Sequence, residues 1–208
     1  DVIKTLTIPS NVTTIGNSAF SENTAVTKLT LSSGITTIGD YAFEGLAVTE
    51  IVVPNTVTSI GAGAFKDCSR LVSITLPFVG NTNSVKSTAN ESSSSGNGSQ
   101  YLFGYIFGAT HETSTSASSV PKNTTTLTYQ GQDYYYYSST KYYWDLYYIP
   151  QTLRNVAITN ATGISANAFY GCSYLTSITL NSGVTTINKN AFYGCSGLTS
   201  FEIPTNTT

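Results

Sequence analysis

Apolar positions along the chain fall into one repeated pattern. An apolar residue is followed by two more at +3 and +5: Ile3/Leu6/Ile8, Val26/Leu29/Leu31, Val48/Ile51/Val53 and Leu71/Ile74/Leu76. The pattern resumes at Leu153/Val156/Ile158, Leu175/Ile178/Leu180 and Leu198/Phe201/Ile203. The step from +3 to +5 is the period of a strand, in which alternate residues share a face. A second apolar pair follows in several units, at Val12/Ile15, Ile35/Ile38, Val57/Ile60 and Val184/Ile187. Then comes an Ala-Phe dipeptide: Ala19-Phe20, Ala42-Phe43, Ala64-Phe65, Ala168-Phe169 and Ala191-Phe192. Successive pairs lie 23 and 22 residues apart in the first block and 23 apart in the second. A fixed period of this length predicts a solenoid of leucine-rich units.

One such unit cannot bury its own apolar stripe, because its strand is alone and its Phe has no cover. Stacking creates a parallel ladder and a continuous core. At about 25 cal/mol per Å² of apolar area, an enclosed Phe and its aliphatic partners supply several kcal/mol per interface. The expected fold is therefore a single domain over residues 1–208, mainly β, with short helical or 3-10 turns at the Ala-Phe pairs. Small Ala permits close approach and Phe fills the centre. Gly16, Gly39 and Gly61 follow the Ile of their units and are expected to supply a permissive backbone. The chain opens inside one unit (Val2-Ile3) and stops just after another (Phe201–Pro204). A segment of a longer array is expected, with uncapped ends available for self-association.

Taken together the units read Leu-x-x-Ile-x-Leu-(Pro)-x-x-Val-x-x-Ile-Gly-x-x-Ala-Phe-x-Gly-Cys-Ser. The clearest copies are LTSITLNSGVTTINKNAFYGCSG (175–197) and VTSIGAGAFKDCSR (57–70) running into LVSITLPFVG (71–80). This pattern resembles the BspA-like, or Treponema-type, class of leucine-rich repeats. It covers 1–80 and 153–208. The stretches LPFVG, LFGYIFGA and IPQTLRNVAIT are similar to an extended unit found within such arrays. The resemblance implies a secreted or surface-displayed protein of a bacterium or mucosal protist, with adhesion to host proteins or other microbes as an associated role. The first two units depart from the pattern, with Asn23 at the Cys position in one and no Cys in the other, which is a residue short.

Between Leu71 and Leu153 lie 82 residues where one unit was expected, so roughly 60 are inserted and residues 81–152 form an insertion. Its first part, Asn81–Gln100, is Ser-, Asn- and Gly-rich and reads as a mobile loop. Tyr101–Ala109 is apolar and is expected to dock on the core, with Ile106-Phe107 standing in for Ala-Phe. Thr110–Ser119 reads as a second polar loop. The last part, Thr124–Tyr148, reads as a hairpin turning at Ser138–Lys141. It carries Tyr134, Tyr135, Tyr136, Tyr137, Tyr142, Tyr143, Tyr147 and the only tryptophan, Trp144. Alternation sends neighbouring rings to opposite faces, so one core cannot bury them all. Exposed Tyr and Trp are interface anchors and also stack on sugars. These eight residues are the candidate ligand-binding set, against the plainer alternative of a hairpin covering an apolar flank.

Charge narrows the partners. The formal net charge is −2 and only 10% of residues are charged. With no basic run, nucleic acid is not an expected partner. No window approaches the ~18 apolar residues of a membrane span. Cys68, Cys172 and Cys195 each sit three residues after their Phe and read as small buried residues. No His or carboxylate recurs beside them, so no metal is expected. Acceptor triplets for N-glycosylation occur at Asn11, Asn90, Asn97, Asn123, Asn160 and Asn206. The lone His111 reads as a solvated loop residue, and no catalytic constellation or cofactor motif is present.

The expected function is non-enzymatic recognition outside the cell or at its surface. The partner would be an extracellular protein or glycan, such as a host matrix protein or another cell. The strand face (Lys28/Thr30, Glu50/Val52, Ser73/Thr75, Ser177/Thr179, Ser200/Glu202) would contribute beside the aromatic hairpin. The alternative is a structural spacer or a self-assembling filament subunit. A remote third reading is ice binding through Thr13-Thr14, Thr36-Thr37 and Thr185-Thr186.

Overall fold

The computed structural model describes residues 2–85, 87, 99–114, 129–138 and 141–207; between 110 and 146 it describes the backbone alone. The loops read at 88–98 and 115–119 therefore lie outside the described residues, as do the hairpin tip at 139–140 and the acceptors Asn90, Asn97 and Asn123.

Each regular coil contributes one strand to a main ladder and a shorter one to a second ladder. The first three coils hold β1 (Thr5–Ile8) with β2 (Thr14–Ile15), β3 (Lys28–Leu31) with β4 (Thr37–Ile38), and β5 (Glu50–Val52) with β6 (Ser59–Ile60). The long fourth coil begins with β7 (Ser73–Leu76) and later forms β8 (Ala109–Ser114), β9 (Tyr129–Ser138) and β10 (Lys141–Pro150). The last coils hold β11 (Asn155–Ile158) with β12 (Gly163–Ile164), and β13 (Ser177–Leu180) with β14 (Thr186–Ile187). The main ladder is parallel throughout, as β1–β3 and β5–β7–β11–β13, and the second ladder runs β2–β4–β6 and β12–β14. The main ladder lapses between β3 and β5, where the second coil is the shorter one.

The ladder ignores the insertion. Val156 sits opposite Ile74 and Ile158 opposite Leu76, the same register that joins Val156 to Ile178. The Arg154 amide donates to the Val72 carbonyl at 2.9 Å, as Val72 donates to Thr49 at 2.8 Å and Thr176 to Arg154 at 2.9 Å.

Inside, most of the predicted apolar positions form one core, while Ile3 and Ile203, in the first and last units, are exposed. Ile51, Ile74, Leu71, Leu153 and Leu175 are almost fully buried, and so are Phe43, Phe65 and Phe169. The Phe rings stack along the axis, Phe20 on Phe43 at 5.7 Å and Phe43 on Phe65 at 5.9 Å, with planes within 5°. Leu46, buried completely, takes the Cys position in the short coil. Cys68 and Cys195 donate their thiols to the Phe43 and Phe169 carbonyls at 3.3 and 3.1 Å, and all three cysteines are free.

Two details differ from expectation. The regular Ala-Phe pairs ride on turns rather than helix, and the residue before each pair is left-handed: Ser18, Tyr41, Gly63, Asn167 and Asn190 have φ between 53° and 61°. The recurring Gly39 and Gly61 have no such φ. Their constraint is space: a Cβ on Gly61 would lie 2.4 Å from the Asp40 amide nitrogen, and one on Gly39 would lie 2.7 Å from that of Asn17.

The long coil closes the stack with a device of its own. A 3-10 turn, Phe103–Phe107, occupies the Phe side. Phe65 donates to the Ile106 carbonyl and Phe103 donates to the Ala168 carbonyl, both at 2.8 Å, matching the 2.8 Å bond from Phe43 to Ala64 in a regular step. Short helices leave their first amides and last carbonyls unpaired; here the coils on either side satisfy them. Ile106 thus answers the coil before and Phe103 the coil after. Phe103 lies 5.3 Å from Phe107 and 4.9 Å from Phe169.

Candidate functional site

An antiparallel three-stranded sheet, β8–β10–β9, leaves the stack from this turn. Gly108, at φ 76°, ends the 3-10 turn, and a Cβ there would meet the Lys66 side chain at 3.0 Å. The chain returns through Ile149, which is fully buried in the solenoid core. The sheet's root is therefore built into the coil.

β9 and β10 pair without a break from Ser138–Lys141 to Tyr129–Pro150. β8 adds the third strand from Ala109–Tyr147 to Ser114–Tyr142. Residues 110–114, expected as polar loop, are thus strand, and His111 lies opposite Asp145 rather than in a loop. A run of Ala-Thr-His-Glu-Thr-Ser has no apolar alternation to announce a strand; pairing with β10 imposes it.

Register sorts the aromatic candidates into two sets. Tyr134, Tyr136, Tyr143 and Tyr147 share one face. Tyr135, Tyr137, Tyr142 and Trp144 share the other, with Trp144 opposite Tyr135 and Tyr142 opposite Tyr137. Tyr147 is corrected outright. It is 3% exposed, packed with Leu102 and Tyr105, so it belongs to the root and not to an exposed patch.

A column of side chains missed by sequence reasoning runs past this root. The residue after each Phe lies on the outside of its turn: Ser21, Glu44, Lys66, Tyr170 and Tyr193. Ser21 donates to Glu44 at 3.0 Å, and Lys66 reaches Glu44 at 2.5 Å and Asp67 at 3.5 Å. The Glu44 hydrogen bond holds the Lys66 ammonium above the ordinary lysine range. Beyond the sheet, Tyr170 and Tyr193 stack at 5.1 Å, and Tyr193 is 62% exposed. The repeated Ala-Phe-Tyr-Gly-Cys-Ser was the signal for the second pair.

The strand face is plainer. Lys28, Thr30, Glu50, Val52, Thr179, Ser200 and Glu202 are exposed, and Ser73, Thr75 and Ser177 are half-buried. The repeated Thr residues have an internal use: Thr36, Thr58 and Thr185 donate to carbonyls of the preceding coil at 3.1–3.2 Å. Their hydroxyls stitch the stack, which weakens the ice-binding reading. Burial pushes the Cys68 thiol up to about 12 and the Cys195 thiol up to about 11, so neither is poised as a nucleophile. Among the described residues no cluster suits a metal, and no helix is long and apolar enough to cross a membrane.

A family model described as a BspA type leucine rich repeat region matches residues 2–97 and 145–208, in six copies. Among solved structures, a leucine-rich repeat protein from Eubacterium ventriosum aligns over 98% of the chain with 23% identity and a TM-score of 0.54. A leucine rich cell surface protein from Faecalibacterium prausnitzii aligns over 99% at 23% identity, TM-score 0.37. A leucine rich repeat protein of T. pallidum aligns over 94% at 17% identity, TM-score 0.36. The chain spans 40%, 49% and 64% of those proteins. Comparison with curated proteins finds no match.

Proposed function

The chain belongs to the BspA-type leucine-rich repeat family, and from that premise we propose that it is an extracellular or cell-surface recognition module whose β8–β10–β9 sheet carries the binding residues. The observation behind this reading is that β11 joins β7 directly. β7 pairs with β11 with no part played by β8, β9 or β10, so those three strands add nothing to the main ladder. Binding groups are commonly mounted on segments that a rigid scaffold carries without depending on them. This one holds Tyr134, Tyr135, Tyr136, Tyr137, Tyr142, Tyr143 and Trp144, the residue types that dominate interface energetics. A surface rich in Thr, Ser and Asn, with charged residues at 10%, suits the outside of a cell. The partner is an extracellular protein or glycan, a host matrix protein or a component of another cell, and adhesion is the role that fits.

The test is binding of the chain to immobilised extracellular-matrix proteins and glycans, beside a variant with Tyr134–Tyr137 and Trp144 changed to Ser. A ligand held by the first and lost by the second, with circular dichroism unchanged, supports the reading. The coil-to-coil hydrogen bonding along the stack favours one other role, a rigid spacer or filament subunit; absence of binding by either protein would transfer the weight there.

A further inference from the structure

The Trp144 face of the sheet combines two chemistries. By register, Tyr142, Trp144 and Leu146 lie in line on β10; Tyr137, Tyr135 and Asp133 lie opposite them on β9; and Ser114, Glu112 and Thr110 lie opposite them on β8. Trp144 is thus centred between Tyr135 and Glu112, with Asp133 one diagonal step away. No Lys or Arg shares this face among the described residues; Lys141 falls on the face of Tyr143 and Tyr147, as do His111 and Asp145. Directly paired strand residues have Cβ atoms about 5 Å apart and diagonal ones about 7–8 Å. The whole group therefore spans an area that one or two side chains of a partner can cover.

We infer that this face receives cationic side chains, arginine foremost, from a basic segment of a partner protein. Resting on the recognition role proposed above, the inference names the chemistry of the partner. An aromatic ring face attracts a cation through its quadrupole, and Trp does so best. The planar guanidinium adds stacking to that attraction and pairs with a carboxylate in two parallel hydrogen bonds. Glu112 and Asp133 occupy positions on the two strands that flank β10, on the face shared with Trp144. A neutral glycan can donate hydroxyl hydrogen bonds to the two carboxylates but gains no charge attraction from them. An acidic partner is repelled by them. Charge complementarity thus selects the basic segment.

The chain carries its own reporter, because Trp144 is its only tryptophan. An arginine-glycine repeat peptide titrated into the whole protein is expected to change Trp144 fluorescence and to bind saturably, more tightly than a lysine-glycine peptide. Glu112→Gln with Asp133→Asn, or Tyr135→Ser with Tyr137→Ser, each weakens it by about two- to fivefold, the scale of one cation–π or exposed ion-pair contact. Tyr136→Ser with Tyr143→Ser, on the other face, leaves it unchanged. Binding that survives loss of the aromatic pair, or that is unaffected by removal of the two carboxylates, overturns the inference. So does absence of any fluorescence response. A matrix protein that is lost on the Tyr/Trp-to-Ser change, yet is neither displaced by the arginine peptide nor sensitive to the carboxylates, leaves the recognition role standing and removes this one.

Discussion

Replacing Phe103 with Ala tests whether the long coil is a working coil. Phe103 is fully buried, 4.9 Å from Phe169 and 5.3 Å from Phe107. Truncating a buried Phe costs about 3–5 kcal/mol, as lost transfer energy plus the cavity left behind. Phe43→Ala, in a regular coil, is the control of equal burial. The two losses should be similar, because both rings are fully buried and each meets two other rings: Phe20 and Phe65 for Phe43, Phe107 and Phe169 for Phe103. Phe103 differs in position: it joins the long coil to the coil after it. Solenoid stability is a sum of unit and nearest-neighbour terms. Weakening this interface should therefore split unfolding into two transitions, whereas Phe43→Ala should not. Guanidinium unfolding followed by far-ultraviolet circular dichroism reads both quantities. A loss below about 1 kcal/mol for Phe103→Ala would refute the claim that this ring is an essential rung.

Other consequences follow from packing and burial. Gly61→Ala should destabilise by about 1–3 kcal/mol through overpacking against the Asp40 backbone, while Gly16→Ala, whose Cβ meets nothing within 4 Å, should change thermal stability little. The Cys68 thiol rises from 9.0 to about 12 on folding. The folded state therefore keeps a proton that the unfolded state loses. Its contribution is whole below pH 9 and falls through pH 12, at about 1.4 kcal/mol per pH unit. Alkaline unfolding curves of the native chain and Cys68→Ala should diverge over that window and coincide near neutrality in slope. The same burial should make Cys68 unreactive to thiol reagents until the protein is unfolded, which a labelling time course with and without denaturant would show.

Periodicity made the solenoid legible because each coil repeats the same burial problem. Leu71, Ile74 and Leu76 announce a strand wherever they recur, and the ladder puts them inside. The long coil was harder. Its rung is Phe103 and Ile106, three residues apart in a 3-10 turn, so no Ala-Phe spacing betrays Phe103. The glycine role was misjudged because sequence shows that a side chain is missing, not whether φ or a neighbouring coil requires it. Gly61 needs room beside Asp40, while the left-handed turns belong to Tyr41, Asn167 and Asn190. In the aromatic segment Tyr comes in runs of neighbours, at Tyr134–Tyr137, Tyr142-Tyr143 and Tyr147-Tyr148. Alternation then carries no contrast between faces, and only pairing with β8 and contact with Leu102 reveal that Tyr147 is inside. The Trp144 face was equally hidden, since Glu112 joins it from a strand that sequence read as a loop.

On the recognition role proposed above, a self-sufficient solenoid carries a separable recognition sheet. Ala109 and Tyr147 are direct partners across β8 and β10, so a short Gly-Ser linker can replace residues 110–146. Thermal unfolding and ligand binding of that excised chain, side by side with the native one, test the claim in one experiment. The expected outcome is a folded solenoid with a melting transition close to the native one and no binding to whatever ligand the native chain holds. A chain that no longer folds, or one that still binds that ligand, would contradict it.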